Sequence, residues 1–180
     1  MEPIEIVAQA VGIVAMLFNI LSYQPKNKNT ILAMQLCGGT LFAAHYLLLG
    51  APVGGLINII CVIRAILFLF RDKLKTDRIG WFAVFFAFYI GIYILNFTVL
   101  GVAPTPVNFF VELLPVVGAT ALHIGFCLKN AGDVRKCGLV SSPAWLTYNI
   151  VAGSWGATAC EVLTLGSIFI GIFRHDRKQK

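Results

Sequence analysis

Charge is scarce in this chain. Of its 180 residues only 12% are Asp, Glu, Lys or Arg, against about 25% in an ordinary soluble domain. With 58% hydrophobic residues and a mean hydropathy of +0.84, the composition excludes both a soluble globule and a disordered chain. Cysteine adds no framework. The five (Cys37, Cys61, Cys127, Cys137 and Cys160) are odd in number, form no CxxC, and fall mostly within apolar runs, so they read as free thiols packed as small hydrophobes. The start, Met1-Glu2-Pro3-Ile4-Glu5, lacks the basic segment of a cleavable signal peptide. There is no GxSxG, no HExxH, no phosphate-binding glycine loop and no Asp-rich cluster. We therefore expect no enzyme, no cofactor and no metal site. The apolar runs are continuous rather than alternating, which argues against a membrane β-barrel.

What is present is a series of apolar runs of membrane length. A spanning helix needs about 20 residues, because the hydrocarbon layer is about 30 Å thick and a helix rises about 1.5 Å per residue. Seven segments qualify, at 4–22, 30–49, 53–70, 80–100, 107–127, 136–152 and 156–173. The sixth is short and holds Ser141, Ser142, Pro143, Thr147 and Asn149. Connections alternate in character. Gln24–Asn29, Arg71–Arg78, Lys129–Lys136 and the tail from Arg174 are basic, whereas Gly50–Pro52, Gly101–Pro106 and Gly153–Gly156 carry no charge. Of the 14 Lys and Arg residues, all but Arg64 lie in these connections or the tail. The net charge of +6 thus reads as a topology signal and not as a nucleic-acid patch. It places the N-terminus outside and the C-terminus in the cytoplasm.

Sliding the chain by 103 residues aligns its punctuation. Pro3 falls on Pro106, Lys26-Asn27 on Lys129-Asn130, Gly50 on Gly153 and Phe70-Arg71 on Phe173-Arg174. Identity over 3–73 against 106–176 is only eight positions, so the signal is the common register of helix ends. Helices one to three match five to seven, and the fourth is left over. An odd number of spans separates the copies, so both enter the membrane in the same direction. The expected fold is an all-α, multi-pass membrane protein of seven transmembrane helices. Two parallel three-helix bundles (residues 1–73 and 104–180, the latter with the basic tail) flank a linker helix within 74–103. That linker, apolar all round apart from Asn96 and Thr98, suits a lipid-facing position.

This 3+1+3 arrangement resembles the SWEET and PQ-loop (MtN3-like) superfamily. More closely, Ser22-Tyr23-Gln24-Pro25-Lys26-Asn27-Lys28 followed by His45-Tyr46-Leu47-Leu48-Leu49-Gly50, with Asn58 and Arg64 beyond, resembles the YgjV family of bacterial inner-membrane proteins. The resemblance implies a bacterial inner membrane and, through the superfamily, transport of a small polar solute by alternating access; the alternatives are a non-transporting receptor or sensor, or an assembly partner, of the same fold. The chain departs from the superfamily pattern in places. Its order is Gln24-Pro25 rather than Pro-Gln, and the second copy has Cys127-Leu128. Asn58 stands where SWEET carriers use an asparagine on helix three, but its repeat mate is Glu161. Phe42 and Trp145, also repeat mates, offer an aromatic platform.

Ionisable side chains at membrane depth cost about 2.5–3.5 kcal/mol on insertion scales and must face a partner or a wet cavity. Arg64, Glu112, Glu161, His45 and His123 are in this position. Glu161 lies about five residues, roughly 8 Å, below the outer start of its helix, and Arg64 lies near mid-membrane. We expect a central cavity that binds a small polar solute through Asn58, Glu161, Arg64, His45, Tyr148 and Asn149. Glu112 and Glu161 are candidates for proton coupling, and Pro25, Pro115 and Pro143 for hinges. Plainer readings stand beside these. Arg64 pairs with Glu161 or Glu112 as a structural lock, Glu112 is solvated at the interface, and His45 is a hydrogen-bonded packing residue. The other expected partner is the lipid bilayer; an oligomer is not required, since one chain holds both bundles. If the orientation is right, a membrane-impermeant thiol reagent outside the cell labels a cysteine placed in Gly50–Pro52 and not one placed in Lys129–Lys136. The reverse pattern would invert the topology.

Overall fold

The computed structural model describes residues 3–48, 52–151 and 155–176. The uncharged connections around Gly50-Ala51 and Gly153-Ser154 and the end of the basic tail lie outside the described residues. Among those described, the chain is all helical: α1 (Pro3–Ser22), α2 (Lys28–Leu48), α3 (Pro52–Leu69), α4 (Arg71–Leu74), α5 (Ile79–Thr98), α6 (Pro106–Cys127), α7 (Ala131–Val151) and α8 (Trp155–Gly171). A π-helical turn, Ile172–Asp176, extends α8.

Among the described residues, five helices are long and apolar enough to cross a membrane: α1, α2, α5, α6, and α8 with its extension. Helix α3 is as apolar but shorter, with Gly54–Leu69 as its apolar stretch. Helix α7 has the length, 21 residues, but its first turns carry Asp133, Arg135 and Lys136. Local chemistry sets several ends. Thr105 caps α6 by accepting a hydrogen bond from the Asn108 N–H at 3.2 Å, and Pro106 fills the first helical position, where no N–H is needed.

Two expectations change here. The stretch Lys129–Lys136 is not a loop, because α7 begins at Ala131 and takes Arg135 and Lys136 into the helix. The stretch Arg71–Arg78 contains the short helix α4. Hydropathy ends a span at the first cations, but a helix continues through them when their charge finds partners.

Helix α2 packs between α1 and α3, α7 packs between α6 and α8, and α1 meets α8. Helix α5 leans on α3 and α6. The matched helices start in a common register: α1 and α6 at Pro3 and Pro106, α2 and α7 at Lys28 and Ala131, α3 and α8 at Pro52 and Trp155, each pair separated by 103 residues. Helix α5 presents Phe85, Tyr89, Ile92 and Asn96 to the protein, a spacing that puts them on one face. Its opposite face, with Val84, Phe88 and Ile94, is exposed, as are Ile6, Ile13, Leu17 and Leu21 of α1. Such surfaces suit lipid, not water.

Small residues allow the closest approaches. Gly38 lies against Phe18 and the Ala15 carbonyl of α1, and its neighbour Gly39 against Val62 of α3. The tightest contact is at Gly171, where an added Cβ would stand 2.5 Å from the Tyr23 carbonyl oxygen and 2.9 Å from Arg135 Cδ. Gly166 has nothing within 4 Å of the same position. Gly171→Ala is therefore expected to destabilise the protein by about 1–3 kcal/mol, as overpacking does, while Gly166→Ala is neutral or better. Thermal melting of the two variants in detergent measures this. Equal melting temperatures would show that α8 does not close on α1 as described.

Candidate functional site

At the centre of the molecule α1, α2, α3, α6, α7 and α8 surround a cavity of about 110 Å³. On the scale where a water needs about 10–15 Å³, that is room for a small solute or a cluster of waters. Seven pairs of residues 103 apart line it together, among them Tyr23 with Phe126, Phe42 with Trp145, and Asn58 with Glu161. The other lining residues include Arg64, Gln35 and Asn149. Trp145 reaches the cavity by lying over Gly118, where a Cβ would meet its ring at 2.8 Å.

Arg64 is 3% exposed. Its Nη1 donates to the Tyr89 hydroxyl at 2.9 Å and to the Ala119 carbonyl at 2.7 Å. Its guanidinium carbon lies 4.9 Å from the centre of the Phe126 ring, a cation–π contact. Among the described residues it forms no ion pair with Glu161 or Glu112, so the lock expected between Arg64 and an acid is absent. A hydroxyl from α5 and a carbonyl from α6 hold the charge instead, and the buried Nε has no partner. Glu161 Oε2 accepts the Ser142 hydroxyl at 2.5 Å. Asn58 donates back to the Gly54 carbonyl of its own helix at 2.8 Å.

Of the six expected solute-binding residues, the structure brings Asn58, Arg64, Asn149 and Glu161 to the cavity. His45 is not there. It donates from Nδ1 to the Ala8 carbonyl at 2.8 Å and packs on Gly12, so it ties α2 to α1. Tyr148 also lies off the cavity, edge-on to Trp145 with centroids 5.9 Å apart. Glu112 turns away toward α5 and accepts from Asn96 Nδ2 at 2.9 Å, so Glu161 is the candidate proton carrier that reaches the cavity. His123 is enclosed by the rings of Phe68, Phe82 and Phe85, each 5.3 Å away. Pro115 and Pro143 lie inside unbroken α6 and α7, whereas Pro25 lies in the turn after α1.

Two contributors escaped the sequence. Tyr89 was one aromatic among many on α5. Ser142 was visible as a polar residue in a span, but its pairing with Glu161 was not. Among the described residues no group of three or more His, Cys, Asp or Glu side chains gathers as metal ligands would.

A second space, about 800 Å³, opens at the end of the molecule where the basic connections meet. Between the two spaces lies an apolar cluster of Ile31, Leu32, Phe68, Phe126, Ala131 and Val134. Phe126 borders the central cavity, and Leu32, Phe68 and Ala131 border the basic basin. Cations bridge the same level. Lys28 of α2 donates to the Phe126 and Leu128 carbonyls at 2.6 and 2.5 Å. Arg71 donates to the Cys127 and Leu128 carbonyls at 3.0 and 3.1 Å and to Asp77 at 2.9 Å, a bond that holds the Asp77 carboxyl below the usual carboxylate range. From the other side Arg135, 2% exposed, donates to the Tyr23 and Pro25 carbonyls at 3.3 and 3.0 Å and grips Asp176 at 2.6 and 3.0 Å. Arg174, the repeat mate of Arg71, reaches Gln24 Oε1 at 3.4 Å.

Since Arg64 leans on neutral partners, Arg64→Ala is expected to lower the melting temperature, because it empties a buried site and takes from the Tyr89 hydroxyl its charged donor, at a cost of about 1–3 kcal/mol. Adding Glu161→Gln or Glu112→Gln should not restore it. Rescue by either would mean that Arg64 pairs with that acid.

Three comparisons bear on what this molecule is. The sequence model of the Imp-YgjV family, described as a bacterial inner membrane protein, matches residues 6–179. The chain is 28% identical over 175 residues to the inner membrane protein YgjV of Escherichia coli (strain K12), an alignment covering 96% of this chain and 86% of that protein. No solved structure matches.

Proposed function

Because the chain belongs to the YgjV family of bacterial inner membrane proteins, a setting that its long apolar helices suit, we propose that it carries a small polar solute across that membrane by alternating access. On this reading α3 and α7 complete seven spans in a SWEET-like 3+1+3 arrangement. The N-terminus faces outside, the basic end faces the cytoplasm, and the solute is moved unchanged.

One observation carries the proposal. The central cavity is lined by repeat mates from both helix triplets, and it is sealed from the basic basin by an apolar cluster that both triplets build. A site on a pseudo-two-fold axis is what a rocking mechanism needs, because tilting one triplet against the other opens one end as it closes the other. The seal has the character of a gate. Its polar part consists of cation-to-carbonyl bonds between the triplets, each worth about 1.5–3 kcal/mol. Such bonds break and remake as units and keep one state dominant until ligand contacts offset them. Pro115 and Pro143, inside the two helices that line the second half of the cavity, are the places where those helices can bend. Glu161 is the residue placed to couple a proton to the solute. On this reading one chain suffices and no oligomer is required.

The test is uptake into proteoliposomes across a panel of sugars, amino acids, nucleosides and carboxylates. Saturable uptake of one class, reduced at least about tenfold by Trp145→Ala through loss of the cavity wall, is the expected result. Ligand binding without flux would make the protein a receptor of the same fold. Neither binding nor flux would overturn the transport reading.

A further inference from the structure

Among the described residues the central cavity is lined by one cation and one acid that do not touch. Arg64 and Glu161 both line it, and among the described residues neither has an oppositely charged partner. Both are incompletely satisfied. Arg64 keeps a buried Nε–H without an acceptor. Among the described residues Glu161 accepts one hydroxyl, that of Ser142, on Oε2. Close to it along the fold, Asn149 is 2% exposed, lines the cavity and has a buried Oδ1 without a donor.

These unmet groups have an order along the membrane normal. Asn149 lies two residues before the end of α7 at the uncharged end, and Glu161 six residues into α8 from that same end. Arg64 lies six residues further along α3 than Asn58, the repeat mate of Glu161, which is about 9 Å deeper. The cavity therefore presents acceptors toward the uncharged end and a donor cation toward its middle. A neutral sugar leaves both charges without a counter-charge. A simple anion leaves Glu161 so, and a simple cation leaves Arg64. Uncompensated charge inside a protein is expensive, which makes the site selective against all three.

Resting on the transport reading above, we infer that the solute is a small zwitterion, bound with its carboxylate on Arg64 and its ammonium on Glu161 and Asn149. The guanidinium offers its Nη2 edge to the carboxylate while Nη1 stays on Tyr89 and Ala119. The ammonium donates to Glu161 beside Asn149, and the rings of Phe42 and Trp145, which both line the cavity, cover the methylene chain. The axial offset between the charged groups favours ω-amino acids, whose charges stand several ångströms apart, over α-amino acids.

The experiment is a binding series on the full chain in detergent or nanodiscs, read by thermal shift, which rises with ligand concentration over Kd. The probes are glycine, β-alanine, γ-aminobutyrate and 5-aminovalerate, with butyrate, butylamine and glucose as controls. Wild type should bind the zwitterions, with affinity rising from glycine to the longer members, and bind each single-charge control at least about tenfold more weakly, as loss of one charged hydrogen bond predicts. Glu161→Gln, which keeps the shape of the side chain, should cost the zwitterions about tenfold and leave butyrate within about twofold. Binding of glucose but not of the zwitterions would overturn this assignment and leave the transport reading standing. Equal zwitterion affinity in Glu161→Gln and wild type would overturn it too. No binding by any probe would reject the zwitterion, and the uptake panel would then decide the transport reading separately.

Discussion

The constraint on which this structure depends is that hydrocarbon leaves no polar group to water. A helix ends with carbonyls that have no partner within the helix, and here several of those ends are buried against other helices. The C-terminal carbonyls of α6 are met by Lys28 and Arg71, which come from α2 and from the chain just beyond α3. The carbonyls of the turn that follows α1 are met by Arg135 from α7, with His175 donating to the Gln24 carbonyl at 2.8 Å. Positive charge at helix C-termini also suits the helix dipole. Each triplet thus finishes helix ends that the other leaves open. Neither would be satisfied alone, and that mutual need explains why the basic connections converge at one end.

The same constraint shapes the middle of the molecule. Arg64 survives at depth because α5 supplies a hydroxyl, α6 a carbonyl and Phe126 a ring face. Helix α5 is for that reason more than a connector: it gives the buried Arg64 charge a hydrogen-bond acceptor and pairs Asn96 with Glu112. Where helix faces run out of partners, a cavity remains, and the polar atoms left over point to what fills it. On the proposed reading the solute completes the hydrogen bonding that the fold leaves incomplete. Such a solute binds one arrangement of the two triplets better than another, and only a differential affinity of that kind moves an equilibrium between states.

Much of the fold was legible along the chain, for a physical reason. Apolar runs of membrane length, prolines at first helical turns and the alternation of charged connections are local properties. The 103-residue register inferred from Pro3 and Pro106 reappears in the starts of three helix pairs. The site was legible in part. Asn58, Glu161, Arg64 and Asn149 meet at one cavity, as depth and repeat symmetry suggested. His45, Tyr148 and Glu112 share that depth but sit on other faces of their helices. Rotation of a helix about its axis is weakly encoded where nearly every face is apolar, so depth could be estimated and facing could not.

By itself, then, the sequence determined that the chain is a helical membrane protein with two halves in one register, because hydropathy and helix-end chemistry act within a few residues of where they are written. Tertiary structure alone decided that Arg64 rests on Tyr89 and Ala119 instead of an acid, that Arg135 is buried on Asp176 and not set in a basic loop, and that Glu161 and not Glu112 faces the cavity. Those partners lie 25, 41 and 55 residues apart in sequence. Their meeting depends on how packed helices rotate and tilt against one another, and no local pattern records that.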